Sequence, residues 1–162
     1  MPGVTAAPAP APVAGRRLGV VLLFGQALAG LAVGVLWWAL TRHPAPWVVG
    51  EPVVTSSAVY PIARDGVFAV LTGLVGLAAA GVVLTRGRGR PVPALGTALA
   101  GALASALLAL GVGGSLPPSD PGDVAHVTVH AGIVLLVQPF VVAAAVALVT
   151  LVDALWHWAR TD

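Results

Sequence analysis

The sequence predicts an all-α membrane protein with four transmembrane helices, and three observations carry that prediction. Of 162 residues, 58% are hydrophobic and only 9% are charged, whereas an ordinary soluble domain carries ~25% charged residues. Four long apolar runs divide the chain, and none of them contains a formal charge. The arginines then fall asymmetrically between the connecting segments, as a topology signal requires. A soluble four-helix bundle would need a polar stripe on every helix, and no such stripe is present.

The first 17 residues, beginning "MPGVTAAPAPAPVAG", are a Pro/Ala-rich tail expected to be disordered and cytoplasmic, because the composition cannot bury a core. The transmembrane domain is predicted over 18–152, followed by a short cytoplasmic end at 153–162. The runs are Leu18 to Leu40, Val67 to Thr85, Ala94 to Val112 and Ala131 to Val152. At 1.5 Å per residue, each spans roughly 28 to 35 Å, close to the hydrocarbon thickness of a bilayer. The first run is too long for a signal-peptide h-region and no convincing cleavage site follows it, so it is read as a retained anchor. The third run is the least hydrophobic. Its Ala and Gly suit a central helix with close backbone contacts, inserted as a hairpin with the second.

With both termini cytoplasmic, the inner segments hold Arg16, Arg17, Arg86, Arg88, Arg90 and Arg160, while the outer loops hold Arg42 and Arg64. Six against two predicts that orientation. All basic residues are Arg, and Lys, Asn and Cys are absent. This fits a GC-rich bacterial genome and hence a multi-pass plasma-membrane protein, and it excludes disulfides and zinc–thiolate sites. The "RGRGRPVP" stretch is read as a topology determinant, not as a nucleic-acid site.

The outer loop "RHPAPWVVGEPVVTSSAVYPIARD" mixes strand formers with turn signals and is compatible with a small β-hairpin. Asp65 is expected to N-cap the second helix, and Asp153, near a helix C-terminus, to be balanced by an Arg of the 86–90 loop or the last turn. Trp37, Trp38 and Trp47 are placed at one membrane boundary, Trp156 and Trp158 at the other.

Within the spans the polar residues are Gln26, Thr72, Thr97, Ser105, Gln138 and Thr150, all uncharged. Pro139 should kink the fourth helix near its middle, with Gln138 bonding to a neighbouring helix. Gly30 and Gly34, with similar small pairs in the second and third runs, fit close helix packing. Asp123, His126 and His130 stand at spacings of three and four, so on a helix they share a face and offer three ligands to zinc, and a catalytic role would also need a base such as Glu51 or Asp65 nearby. The Glu of an H-E-x-x-H motif is missing, and the preferred reading is the polar end of a helix.

The segments "GVLWWALTRHPAP", "ARDGVFAVLTGLVGLAAAG", "ALGTALAGALASALLALG" and "GIVLLVQPFVV" resemble a family of small actinobacterial membrane proteins known only as a domain of unknown function. The family features map to Trp37, Pro44, Glu51, Asp65, Gly66, Phe68 and Pro139. The resemblance implies a four-helix envelope protein with no assigned activity.

The functional expectation is a non-enzymatic membrane subunit that needs no cofactor and acts through a membrane protein partner or a homo-oligomer. A small transporter or channel subunit and a metal-binding membrane enzyme or sensor are the alternatives. Glu51, Asp65, Gly30, Gly34, Gln138 and Pro139 are its candidate partner or packing residues.

Overall fold

The structure is a computed structural model that describes residues 13–41, 59–117 and 129–160. Four helices, α1 (Val13–Thr41), α2 (Val59–Arg86), α3 (Pro91–Ser115) and α4 (Val137–Trp158), run up and down, and a 3₁₀ turn at Gly132–Leu136 leads into α4. Their apolar spans measure 25, 24, 25 and, with the 3₁₀ turn, 27 residues. At 1.5 Å per residue these reach roughly 36 to 40 Å, enough to cross a bilayer with some tilt. The chain is a four-helix membrane protein.

Arg64 lies at one end of the bundle, while the other carries Arg17, Arg86, Arg88, Arg90 and Arg160. There α1 begins, α4 ends, and the turn Gly87–Arg90 joins α2 to α3, closed by the Arg90 N–H donating to the Gly87 carbonyl at 2.9 Å. Pro91 and Pro93 fall in the first turn of α3, where a missing N–H costs nothing because no intrahelical acceptor exists there. At the opposite end lie Trp37, Asp65 and the 3₁₀ turn.

α3 is the central helix. It buries a continuous face of Ala94, Ala98, Gly101, Ala102, Ser105, Ala106, Ala109 and Gly113. α1 lies closest to it. A Cβ built on Gly34 would stand 2.6 Å from the Ala109 carbonyl oxygen, and one built on Gly30 would collide with Ser105. Only glycine permits this approach, in which van der Waals contact replaces the hydrophobic drive that lipid does not supply. Many large apolar side chains point outward instead. Phe24, Leu28, Val70, Leu74 and Phe140 are all exposed, as lipid-facing residues should be.

Three residues, Asp65, Pro139 and Trp37, take places other than those expected. α2 begins at Val59, well before Asp65, so Asp65 is not its N-cap. Pro61 sits in the first turn of that helix, where it is tolerated. The proposed hairpin loop is therefore helical from Val59 onward, and no strand occurs among the described residues; residues 42–58, including Glu51 and Trp47, lie outside them. Pro139 does not kink the middle of a helix. It is the third residue of α4, among the orphan N–H positions, because the preceding five residues are wound as 3₁₀.

Trp37 is the third correction. It lies near the end of α1 but is fully buried among the helices, with no face left for the headgroups. Its ring meets Phe68 edge-on, with centroids 5.0 Å apart at 74°, and its Nε1–H donates to the Arg64 carbonyl at 3.0 Å. A buried indole keeps its N–H satisfied this way. Trp156 and Trp158 are exposed near the arginine end, with the Arg160 guanidinium 4.7 Å from the Trp156 ring centroid.

Candidate functional site

Two polar constellations interrupt the apolar bundle. The first lies at mid-depth. Gln26 of α1 donates from Nε2 to the Ala98 carbonyl of α3 at 3.0 Å, and Gln138 of α4 donates from Nε2 to Gln26 Oε1 at 3.1 Å. A carbonyl can only accept, so Ala98 fixes which way the Gln26 amide points. Gln26 in turn fixes Gln138. Gln138 Oε1 is buried and has no hydrogen-bond partner among the described residues.

Gly101 makes this reach possible, since a Cβ there would fall 2.7 Å from Gln26 Nε2. On the far side, a Cβ on Gly76 would meet the Gln138 carbonyl at 2.9 Å. Gly76 is ten residues from Arg86 and eleven from Asp65, or roughly 15 Å from each at helical rise. The glutamines therefore join three helices near the centre of the membrane.

The intramembrane threonine hydroxyls face their own helices. Thr72 donates to the Phe68 carbonyl at 2.8 Å, Thr97 to Pro93 at 2.7 Å and Thr150 to Val146 at 2.8 Å. A side chain that bonds back to the preceding turn needs no interhelical partner.

The second constellation is at the tryptophan end. The nearly buried Asp65 carboxylate accepts the Ala131 N–H at 2.8 Å through Oδ2 and the His130 N–H at 3.1 Å through Oδ1. It caps the segment leading into the 3₁₀ turn, 65 residues away in sequence. The Trp37–Arg64 bond lies one residue along, so α1, α2 and the start of the fourth span are tied at one point.

The sequence-predicted residues divide as follows. Gly30, Gly34, Gln138 and Pro139 fall within the described bundle, and Asp65 reaches the His130 backbone but not its imidazole, which is on an exposed residue. Asp123, His126 and Glu51 lie outside the described residues. Among the described residues, no group of three His, Cys, Asp or Glu side chains stands close enough to hold a metal. No protein-family model, curated protein or solved structure matches this chain.

Asp153, expected to meet an arginine, lines one cavity of about 350 Å³ together with Arg88. Its carboxylate stands 3.6 Å from His157 Nδ1, one helical turn on, with both side chains well exposed. Sequence reasoning missed the Gln26–Ala98 bond and Asp65's long reach. The signal available for the first was Gly101, one of the small residues of the third run.

Proposed function

We propose that this chain is a non-enzymatic integral membrane subunit of a bacterial cell envelope. It sits in the plasma membrane with its arginine end and both termini in the cytoplasm, and it acts through a protein partner. The observation that carries this reading is the filling of the bundle interior. The α1–α3 seam closes on Gly30 and Gly34, and the mid-depth polar groups are neutral amides bonded across helices. Such an interior favours a rigid scaffold over a proton relay, which works through ionisable groups. A transport path lined by Gln26, Thr72, Thr97 and Gln138 is disfavoured by the hydroxyls of Thr72 and Thr97, which turn to their own helices.

Affinity purification with crosslinking from native membranes tests the role. A single defined heteromeric partner is expected, whereas a symmetric homo-oligomer would favour a channel subunit. Orientation is tested by single-cysteine labelling, clean in a chain without Cys. Gly87 is a poor probe because a Cβ there would press on the Val83 carbonyl at 2.5 Å, whereas Gly89 is open. Gly89→Cys should label only from the cytoplasmic side, and Ser115→Cys only from the opposite side. The reverse pattern would overturn the orientation.

A further inference from the structure

Because α1 leans on α3, it stands away from α2 over the half of the bundle nearest the arginines. A cavity of about 230 Å³ results, walled by Val21, Gly25, Ala29, Ala78 and Val82, with Gln26 at its base and Arg86 at its end. Small residues make it: a Cβ on Gly25 would meet nothing within 4 Å. Its walls include exposed positions on both helices (Val21, Gly25, Ala78), so it is open to the bilayer. It is nearly all apolar until Arg86, the last residue of α2, which is exposed and forms no ion pair among the described residues.

We propose that this groove binds one anionic phospholipid of the leaflet at the arginine end, with an acyl chain along α1 and α2 and the phosphate on Arg86. Charge complementarity selects the occupant. A hydrocarbon slot ending in a lone guanidinium at headgroup depth matches the two halves of a phospholipid, and basic pockets between transmembrane helices are known headgroup sites. Arg17, Arg88 and Arg90 stand at the same end but do not line this groove. The larger cavity beside Arg88 is different, because the Asp153 carboxylate also lines it and repels an anion. The inference does not depend on which side of the membrane the arginine end faces, nor on a protein partner.

The test uses the full chain purified in a nonionic detergent. Lipid binding is read by native mass spectrometry, and helix content by circular dichroism. Dioleoyl phosphatidylglycerol should bind with one-to-one stoichiometry and more tightly than dioleoyl phosphatidylcholine, which has the same chains. Arg86→Gln should weaken it about five-fold, the equivalent of one basic residue at a membrane surface, while Arg88→Gln leaves it unchanged. Gly25→Leu, which places a side chain in open groove space, should weaken it with Arg86 intact, so the proposal stays testable even if Arg86→Gln fails to fold. Inorganic phosphate should not compete. Equal losses in the two arginine variants would reduce the effect to diffuse charge. Wild-type affinity in Gly25→Leu, equal binding of the two lipids, or competition by free phosphate would each overturn the proposal.

Discussion

Asp65 holds the Ala131 backbone N–H at 2.8 Å across 66 residues of chain. The same carboxylate takes the N–H of His130, so one acidic side chain on α2 fixes where the fourth span begins. Carboxylate–amide bonds are among the stronger hydrogen bonds, and the orphaned donors would be partly buried.

Asp65→Ala should therefore destabilise the bundle by about 1–3 kcal/mol. Asp65→Asn, which keeps an acceptor oxygen but loses the charge, should cost less. Thermal unfolding in detergent, followed by circular dichroism, checks the order. Equal effects would mean that the charge contributes nothing.

The glutamine pair gives an ordering that does not depend on absolute scale. Gln26→Leu leaves both polar atoms of Gln138 without partners, whereas Gln138→Leu leaves only Gln26 Oε1 and also removes the unpartnered Gln138 Oε1. Gln26→Leu should thus be the more damaging, and the double substitution should cost less than the sum. The coupling should lie near the 0.6 to 1.7 kcal/mol found for polar contacts between membrane helices. A double-mutant cycle in detergent measures it; additive losses would refute the pairing.

Gly34→Leu should separate α1 from α3, because the Ala109 backbone cannot yield. Overpacking of this kind costs about 1–3 kcal/mol. Gly111→Leu is the control on α3, since nothing lies within 4 Å of a Cβ there, and its stability should match the wild type.

Trp37 should be silent to lipid. In a variant with all other tryptophans replaced by Phe, its fluorescence should resist quenching by phospholipids brominated on their chains. Trp156 and Trp158, exposed at the arginine end, should be quenched when each is the only tryptophan. Quenching of Trp37 to the same degree would contradict its burial.

Zinc content is the measurement for the histidine cluster. The purified chain at neutral pH is expected to hold less than one equivalent, unchanged by His126→Ala with His130→Ala. A full equivalent lost in the double variant would establish a site.

The sequence by itself determined the four spans. Hydrophobicity over about twenty residues is a local property, and a backbone in lipid must satisfy its hydrogen bonds within each helix. The small residues of the third run likewise marked a central helix, because close approach needs small side chains whatever the partner. Tertiary structure alone decided what the isolated polar and aromatic residues do. Asp65 looked like the cap of its own helix and Trp37 like an interfacial anchor, since those are the roles each takes from local context. Their partners, Ala131 and Arg64, lie 66 and 27 residues away, and Gln26 finds Ala98 and Gln138 at separations of 72 and 112. Nothing in the flanking residues encodes such distances. They follow from which helix faces meet, and that is set by shape complementarity summed over the whole bundle.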